Sequence, residues 1–326
     1  MSVKTEVLTL LESHRDRDLS GQDIAGQLGV TRAAVWKAVK TLKEEGYVIE
    51  AANNRGYRLM ENSDVLSVEG IRLGLEKRYQ NNEIIVYKSL DSTNMEVKRK
   101  ALDSAKEGLV VLTEEQTAGR GRKGRSFASP AGTGIYMSFL FRPTPEQSSN
   151  VILITTAVSV AVCRAIRNVL HEEPSIKWVN DIYLRGRKVC GILTEAVSDF
   201  ESGRIDTVVV GIGINYREPQ GGFPKEVRDV AGSICHSEVF VPRNTLVAAV
   251  MNELFSLYEK LADKAYMEDY KRWSNVLGNK VRFTSGKEWV FGTAKDIDDD
   301  GGLVIVMEDG EEQVLRTGEI TLRVCE

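Results

Sequence analysis

The chain has 326 residues and a formal net charge of -4. That length is too great for one ordinary hydrophobic core, so two or three domains are expected. Apolar residues make up 42% and charged residues 28%, which is typical of a soluble globular protein, and the acidic balance means that nucleic-acid binding would need a local basic patch. Four cysteines without a C-x-x-C pair, and only three histidines, argue against a zinc site and a disulfide framework.

No cationic segment followed by an apolar run stands near the N-terminus, so no secretory signal is predicted and the cytoplasm is the expected location. The most apolar stretch, residues 151–170, is interrupted by Arg164 and Arg167. We therefore expect a buried helix there rather than a membrane span, and no membrane partner.

Residues 1–62 predict three helices and a hairpin. The first helix is amphipathic, and Ser20 is placed as the N-cap of a second helix that Gly29 ends through a left-handed turn. Thr31 caps a third helix over residues 32–45, which Gly46 stops. A small residue, a turn glycine and a core residue stand where a helix-turn-helix needs them: Ala25, Gly29 and Val35.

Alternating runs at 47–49 and 57–59 flank Asn53-Asn54-Arg55-Gly56, a composition typical of a hairpin turn. Together these elements predict a winged helix that binds DNA through the region from Gln22 to Thr41 and through the wing. The start of the third helix should meet base edges in a major groove, while the wing reaches phosphate or the minor groove. The expected contacts are Thr31, Arg32, Ala33, Ala34, Lys37 and Arg55.

The next domain, predicted at 63–276, begins with a polar connection that carries one short helix. Strand-like runs follow at 84–86, 109–112, 134–141, 176–179, 188–195 and 207–214, and helices are predicted at 92–104, 148–170 and 243–275. Residues 180–186 are short enough to be a hairpin connection. This order predicts an α+β domain with a mixed or antiparallel sheet and helices on one face, not a Rossmann fold.

The last predicted domain, at 277–326, changes character. Five short β-rich runs separated by Gly and Asp turns indicate a small barrel, with strands at 281–283, 289–293, 303–307, 313–315 and 320–324.

Residues 119–126 read GRGRKGRS and concentrate four cations and three glycines in eight positions. Glycine N–H groups and arginine guanidinium groups suit a phosphate-bearing ligand, but a flexible basic loop or a nucleic-acid contact fits the pattern equally well. A P-loop does not fit, because it must open a helix and the following residues 127–134 cannot begin a stable one.

Three further segments are weaker signals on their own. Asn180-Asp181 is an ordinary turn pair, and Lys188, at the start of an apolar strand, either reaches a developing phosphate charge or is simply a solvated lysine, which is the commoner case. The GIGIN run at 211–215 allows close packing against any ligand. Ser92-Thr93-Asn94 is either a helix N-cap or a group of ligand hydrogen-bonding residues.

These segments occur together in one order, and in that order the chain resembles the bifunctional biotin protein ligases that also act as biotin operon repressors. The motifs that carry the resemblance are DSTN at 91–94, GRGRKGR at 119–125, KWVND at 177–181, RKVCGIL at 187–193, GIGIN at 211–215 and GEITLR at 318–323. The resemblance covers essentially the whole chain, and the GRGR loop with the KWVND segment is its most specific part.

The resemblance implies roles for individual residues. The implied biotin-binding residues are Ser92, Thr93, Asn94, Gln116, Gly119, Arg120, Arg122 and Lys188. The implied adenylate-binding residues are Arg122, Arg125, Phe127, Asn180 and Asn215. The implied catalytic residues are Lys188, Arg122 and Asp181, and no metal ligands are assigned.

The same resemblance implies ATP and Mg²⁺ as cofactors and biotin as substrate. It implies three partners: the biotin carboxyl carrier protein of acetyl-CoA carboxylase and other biotin-dependent carboxylases, biotin operon operator DNA, and a second copy of the chain in a homodimer. It also implies a central sheet related to class II aminoacyl-tRNA synthetases and an SH3-like C-terminal barrel.

Two positions depart from the family pattern. Phe127 stands where the family usually has tryptophan, which keeps an aromatic face, and Val179 stands where it usually has proline, which removes backbone rigidity before Asn180. Two other functions remain in view. A lipoate or octanoate ligase would share the central fold without this winged helix and loop, and a repressor that only senses its ligand would have no need of Lys188.

Overall fold

The computed structural model describes residues 2–52, 55–148, 150–198, 205–235, 240–285, 288–316 and 320–322. The chain divides into two compact units, of which the first contains residues 1–81 and 235–251 and the second contains residues 82–234 and 252–326. Separate clusters of buried apolar side chains lie in the two units.

The first unit begins with three helices, α1 Val3–Ser13, α2 Gly21–Leu28 and α3 Arg32–Glu44. The predicted capping residues are confirmed. Ser20 Oγ accepts a hydrogen bond from the Asp23 N–H (3.0 Å), and Thr31 Oγ1 accepts one from the Ala34 N–H (3.2 Å). Gly29 ends α2 in the left-handed conformation, with φ 65°. The helix-turn-helix that the sequence predicts is therefore present.

A hairpin of two antiparallel strands, β1 Ile49–Ala52 and β2 Gly56–Leu59, forms the wing. The predicted turn residues Asn53 and Asn54 lie outside the described residues. The first strand starts later than the predicted residue 47, because the Tyr47 N–H still bonds to a carbonyl of α3. Gly56 has φ 105°, and a Cβ there would lie 2.1 Å from the Leu19 carbonyl oxygen, so this close approach requires glycine.

After the wing the sequence predicts a polar connection with one short helix. The helix is confirmed as α4 Val68–Gly74, and a 3₁₀ turn at Lys77–Tyr79 follows it. The prediction that the connection is polar was wrong, because four apolar side chains bury themselves there: Leu66, Ile71, Leu75 and Tyr79.

The second unit is built on a seven-stranded sheet with strands β3 Ile84–Tyr87, β4 Val110–Thr113, β5 Gly134–Phe141, β6 Ser175–Lys177, β7 Asp181–Leu184, β8 Arg187–Ser198 and β9 Ile205–Asn215. The strand order is β3-β4-β5-β9-β8-β7-β6, and every pairing is antiparallel except β3–β4. The predicted mixed sheet is confirmed. Reading residues 180–186 as a mere connection was wrong, because they contain β7 and a tight turn with positive φ at Arg185 and Gly186.

The helices described in this unit are α5 Thr93–Leu102, α6 Pro145–Ser148, α7 Val151–Leu170 and α9 Met267–Arg272, whereas α8 Arg243–Glu259 begins in the first unit and ends in the second. The predicted single helix over 243–275 was wrong. A 3₁₀ turn at Leu261–Asp263 and a positive φ of 53° at Lys264 interrupt it. Within the described residues, only α7 is long and apolar enough to cross a membrane, and 67% of its most apolar window is buried within the fold. The predicted buried helix is therefore confirmed.

Helices cover both faces of the sheet. Thr194 Oγ1 accepts a hydrogen bond from Thr155 of α7 (2.8 Å), while Glu195 accepts one from Asn94 of α5 (2.8 Å). Adjacent residues of a strand point to opposite faces, so α5 and α7 lie on opposite sides. The prediction of helices on one face was wrong, because every residue of β5 is buried and neither face can stay solvated.

The C-terminal part of the second unit is a five-stranded antiparallel sheet. Its strands are β10 Lys280–Ser285, β11 Glu288–Ile297, β12 Leu303–Met307, β13 Glu312–Leu315 and β14 Ile320–Leu322. Their order is β13-β12-β11-β10-β14. All five predicted strands are present, and the motif residues Gly318, Glu319 and Arg323 lie outside the described residues.

A buried ion pair ties the connection after the wing to the start of α8, within the first unit. Arg243 is 2% exposed, and its Nε lies 3.2 Å from Asp64 Oδ2. The next residue, Asn244, accepts a hydrogen bond from the Ser67 N–H (3.1 Å). These contacts hold residues 64–67 against the helix without any strand pairing.

We predict that Asp64→Ala lowers the free energy of unfolding by about 3–5 kcal/mol, because it leaves a buried guanidinium without its carboxylate. The measurement is urea denaturation followed by circular dichroism. The matched control is the double variant Asp64→Leu with Arg243→Met, which removes both charges and should recover most of the loss. Equal stability of Asp64→Ala and the parent would show that this pair contributes nothing.

Candidate functional site

A cavity of about 690 Å³ opens on one face of the seven-stranded sheet in the second unit. The start of α5, the basic loop at 117–128, strands β7 to β9 and the segment at 223–231 form its walls. Every ligase-site residue predicted from the sequence lines this cavity except Gly119, which lies at the base of the basic loop. The segments singled out along the chain therefore converge on one site.

Neutral hydrogen-bonding groups form one end of the cavity. Gln116 Oε1 accepts a hydrogen bond from the Thr93 N–H (2.9 Å), and Gln116 Nε2 donates one to Ser129 Oγ (2.8 Å). Ser92 occupies the N-cap position of α5, but its hydroxyl makes no capping hydrogen bond, and the residue is 3% exposed. Capping therefore does not explain the choice of serine there.

Asn94 lines the same end, but its amide is committed to the protein. Its Oδ1 lies 2.6 Å from Ser138 Oγ, and its Nδ2 donates to Glu195 (2.8 Å) and to the Leu193 carbonyl (3.3 Å). Burial raises the pKa of the Glu195 carboxyl, but hydrogen bonds from Lys98 and Asn94 outweigh it and leave that pKa below its ordinary value. Asn94 thus fastens α5 to the sheet beneath the cavity.

The basic loop is closed at its base by backbone hydrogen bonds. The Gln116 N–H donates to Ser129 O (3.1 Å), and the Phe127 N–H donates to Gly119 O (2.9 Å). A single 3₁₀ turn at Arg122–Gly124 stands at the tip, and the chain then runs into β5. The loop opens no α-helix, which confirms that it is not a P-loop.

Arg122 is the loop cation that reaches across the cavity. Its Nη1 donates a hydrogen bond to Asn180 Oδ1 (3.0 Å), while Asn180 Nδ2 donates to the Ile192 carbonyl (2.7 Å). Arg120 and Arg125 are exposed and line the cavity mouth. One loop arginine therefore bonds to Asn180 of the sheet, and two others line the cavity beside it.

The glycines of β8 and β9 make room for an aromatic ring. Gly191 and Gly213 are paired across the two strands. A Cβ at Gly213 would lie 2.5 Å from the Phe127 ring, and one at Gly191 would lie 3.5 Å from it. The Phe127 ring therefore packs against the backbone of β8 and β9. Gly213, the second glycine of GIGIN, makes room for this ring rather than for a ligand.

A slip in strand pairing places Lys188 on the cavity face. Ile182 pairs with Cys190 but Tyr183 pairs with Lys188, so Val189 is an extra, bulged residue. Without the bulge, Lys188 and Gly191 would point to opposite faces, because side chains alternate along a strand. With it, Lys188 Nζ lies 2.6 Å from Asp181 Oδ1 inside the cavity.

The segment before Asn180 is held from two sides. Trp178 is buried, and its indole N–H donates to the Gly301 carbonyl in the β11–β12 turn (2.9 Å). Tyr270 donates its hydroxyl to the Val179 carbonyl (3.0 Å), and the Trp178–Val179 peptide bond is cis. The C-terminal sheet thereby takes part in positioning the residues that follow.

Sequence reasoning missed one wall of the cavity, the segment at 223–231. Phe223, Val227 and Val230 line the cavity there, and Val230 is 48% exposed. The Lys188 N–H donates to Val230 O (2.7 Å), and Asn215 Nδ2 donates to Gly232 O (3.0 Å). The sequence offered one indication of this wall. Val227 and Val230 are isolated apolar residues in a polar stretch that has neither helical nor strand periodicity.

The predicted DNA contacts lie on the winged helix of the first unit. Ala34 is half-buried, and the other members of the set are exposed: Thr31, Arg32, Ala33, Lys37 and Arg55. Trp36 lies within the predicted region from Gln22 to Thr41 but was not named individually, and it is 58% exposed on α3. Its signal was a tryptophan at a position that the helical period assigns to the outer face.

Three family models match the chain. The HTH domain matches residues 4–58, the Biotin/lipoate A/B protein ligase family matches residues 86–215, and the Biotin protein ligase C terminal domain matches residues 276–323. Together with the cavity, these matches define a protein ligase of the biotin and lipoate class joined to a helix-turn-helix domain.

Whole-length relatives narrow the class. The bifunctional ligase/repressor BirA of Bacillus subtilis is 32% identical, over 96% of this chain and 97% of that protein. BirA of Escherichia coli is 29% identical, over 94% of each chain. The solved biotin protein ligase of Aquifex aeolicus, in complex with biotin and ATP, is 27% identical with a TM-score of 0.64, covering 74% of this chain and 98% of that one. This chain belongs to the family of bifunctional ligase/repressors, which confirms the resemblance drawn from the motifs.

We predict that Gly213→Ala slows ligation on the order of 10²-fold, because the new Cβ displaces the Phe127 ring and with it the basic loop. Steady-state rates of product formation measure the effect. Gly26→Ala is the matched control, since a Cβ there meets nothing within 4 Å. An unaltered rate for Gly213→Ala would mean that the ring position is irrelevant to the reaction.

Proposed function

We propose that this chain is an ATP-dependent biotin protein ligase that also represses transcription in response to biotin. The observation that carries the proposal is the cavity itself, which joins a neutral hydrogen-bonding end at Thr93 and Gln116 to a cationic end at Arg122 and Lys188. The first reaction forms biotinyl-5′-AMP and pyrophosphate. The second transfers biotin to a lysine of the biotin carboxyl carrier protein or of another biotin-dependent carboxylase.

The neutral end suits the uncharged ring system of biotin. Hydroxyl and amide groups of Ser92, Thr93 and Gln116 can pair with the ring N–H and carbonyl groups without a buried charge. Asn94 supports these residues from below rather than offering a free amide. The biotin carboxylate then lies toward Arg122 and Lys188.

Adenylation needs positioning and charge rather than a nucleophilic side chain. The biotin carboxylate is ionised at neutral pH and attacks the α-phosphorus of ATP. A carboxylate oxygen–phosphorus bond forms, and the bond from that phosphorus to the oxygen bridging it to the β-phosphate breaks, releasing pyrophosphate. The cations that line the cavity oppose the repulsion between the anions: Arg120, Arg122, Arg125 and Lys188. Phe127, Asn180 and Asn215 line the remaining adenylate wall.

The ion pair between Lys188 and Asp181 links the two half-reactions. When Lys188 Nζ turns to the phosphate, it leaves the Asp181 carboxylate. That carboxylate is then available to orient the acceptor ammonium group and take its proton. The resulting amine attacks the carbonyl carbon of the mixed anhydride, an amide bond forms, and AMP leaves.

Magnesium fits the site as a companion of the nucleotide. The described residues hold no cluster of three or more histidine, cysteine, aspartate or glutamate side chains that could bind a metal ion. Two carboxylates line the cavity, Asp181 and Glu226, and they are the residues that would hold Mg²⁺ together with ATP phosphates. Bound there, Mg²⁺ would supply charge neutralisation at the phosphates.

The finer architecture is also a proposal. We propose three domains, at 1–62, 63–276 and 277–326, with a central sheet related to class II aminoacyl-tRNA synthetases and an SH3-like C-terminal barrel. A long β11 that pairs with both β10 and β12, with an irregularity between Ala294 and Asp296, supports closure of such a barrel. A cytoplasmic location follows from the need for ATP, the acceptor carboxylase and chromosomal DNA.

The test of the ligase is incubation of the full chain with ATP and biotin while pyrophosphate is measured, followed by addition of the acceptor domain. Biotin should release pyrophosphate and label the acceptor, whereas lipoate should do neither. Turnover with lipoate but not with biotin would overturn the substrate assignment. If the protein binds biotin but releases no pyrophosphate, it is a repressor that senses biotin and not a ligase.

We predict that Lys188→Ala lowers the rate of adenylate formation by about 10²-fold or more with little change in biotin affinity, since the charge acts on the developing phosphate charge. Single-turnover pyrophosphate release and equilibrium biotin binding separate the two effects. Lys106→Ala, at an exposed lysine that does not line the cavity, is the control. A normal adenylation rate would make Lys188 a surface lysine.

We predict that Arg122→Gly releases the adenylate into solution. The contact between Arg122 and Asn180 anchors the loop over the cavity, and the mixed anhydride would escape without it. Biotin should then appear on lysines of an unrelated protein, such as serum albumin added to the reaction. Labelling confined to the acceptor would contradict this role.

Repression requires operator DNA, and a two-fold dimer that reads two half-sites is the expected solution. We propose that the homodimer forms along the outer half of β8. Its residues 194–198 pair with β9 on one side, and no strand among the described residues pairs with the other side. Val197 is 40% exposed on this edge, and the nearby Leu193 lines the cavity. An edge strand next to the adenylate gives the ligand a route to the dimer equilibrium.

We predict that biotinyl-5′-AMP raises the dimer fraction and tightens operator binding, since a ligand shifts an equilibrium only by binding one state better. Sedimentation of the protein with and without the adenylate measures this. Val197→Glu should keep the liganded protein monomeric, because a charge on the edge opposes strand pairing. Equal dimer fractions with and without adenylate would defeat the coupling and leave the ligase intact.

A further inference from the structure

The outer face of α3 carries an exposed aromatic ring. The inner face of the helix buries four apolar residues, Val35, Ala38, Val39 and Leu42, and Trp36 lies on the other side with 58% of its surface exposed. A tryptophan in that position leaves a large ring accessible to a ligand on the helix face that is turned away from the core. The core of the winged helix is complete without it.

Cations surround this ring. Arg32 and Lys40 lie four residues before and after Trp36, so the three side chains share one stripe of the helix. Lys40 Nζ lies 5.7 Å from the centroid of the Trp36 ring, and Lys37 is exposed beside it. A flat apolar ring inside a group of cations matches a surface that combines phosphates with apolar base edges.

We propose that Trp36 is a specificity-determining residue of the DNA interface, where its ring contacts the methyl group of a thymine in the major groove of each half-site. The inference rests on the proposed repressor function and deepens it. It adds an aromatic residue that reads sequence to the contacts predicted at the start of the third helix and in the wing.

The geometry of the helix supports this position. The first two turns of a recognition helix enter the major groove, and Trp36 stands in the second turn after the Thr31 cap. Within that groove the C5-methyl of thymine is the apolar group that a base pair presents. Lys37 and Lys40 carry charges that suit phosphates, so they set orientation and salt dependence rather than sequence.

The ring itself, not its N–H, carries the inferred contact. Indole has one donor and no acceptor, whereas phenylalanine keeps an apolar ring and loses the donor. Trp36→Phe should therefore preserve the thymine preference, and Trp36→Ala should lose it. Removing a charge should act differently, because Lys37→Ala weakens binding to all sequences and lowers the salt slope by about one.

The test is selection of binding sites from a randomised DNA duplex by the full chain in the presence of biotin and ATP. The parent, Trp36→Phe, Trp36→Ala and Lys37→Ala are compared. The enriched motif of Trp36→Ala should lose a thymine at one position in each half-site, at a cost of about 5- to 150-fold in affinity for the parent motif, the range that one base contact supplies. Its affinity should keep the parent's dependence on salt concentration.

Thermal unfolding of each variant checks that the winged helix is intact, and an exposed side chain should leave the melting temperature close to that of the parent. An unchanged motif for Trp36→Ala would overturn the inference. Loss of the thymine in Trp36→Phe as well would also overturn it, since the N–H would then be the reading group. A uniform loss of affinity would place Trp36 at the backbone instead. Failure of the parent to enrich any motif would overturn the repressor function together with this inference.

Discussion

Lys188 reaches the cavity only because the pairing of β7 with β8 slips by one residue at Val189. The slip brings Lys188 to the same face as Gly191 and lets it pair with Asp181 at 2.6 Å. The contact between Lys188 and Asp181, which the proposed chemistry uses, therefore depends on this one irregularity in the pairing of β7 with β8. The bulged Val189 itself is fully buried.

Around that pair, glycines in β8 and β9 leave space on the sheet surface, and other side chains of the protein fill this space. Gly191 and Gly213 leave a flat area that the Phe127 ring covers, and Gly211 leaves the space that Asn94 fills. The basic loop thus rests on backbone, and its cations are held over the site by packing rather than by charge alone. Because the same loop closes on Ser129, a change in its position also moves Gln116 at the proposed biotin end.

The ligase and repressor functions occupy different units and are built on different principles. The ligase cavity draws side chains from distant parts of the chain into a sheltered space. The proposed DNA surface lies on α3 and the wing, with Trp36 and its neighbouring cations exposed. The outer edge of β8 is the proposed link, since it borders the cavity and also offers an unpaired strand to a second copy.

Local chemistry made much of this protein predictable from its sequence. Ser20, Gly29 and Thr31 define helix ends by capping and φ preference, and the alternating runs define most strands, because these signals act within a few residues. The motifs in the resembled order collected residues that the fold brings to one cavity, but they missed the wall at 223–231, and the ligand roles of the motif residues remain proposals. Tertiary structure alone decided the bulge at Val189, the strand β7, the break at Lys264 and the contact from Trp178 to Gly301. These features depend on packing between segments that are far apart in sequence, or on the register in which two strands pair. Packing and register leave no periodic pattern in the local sequence.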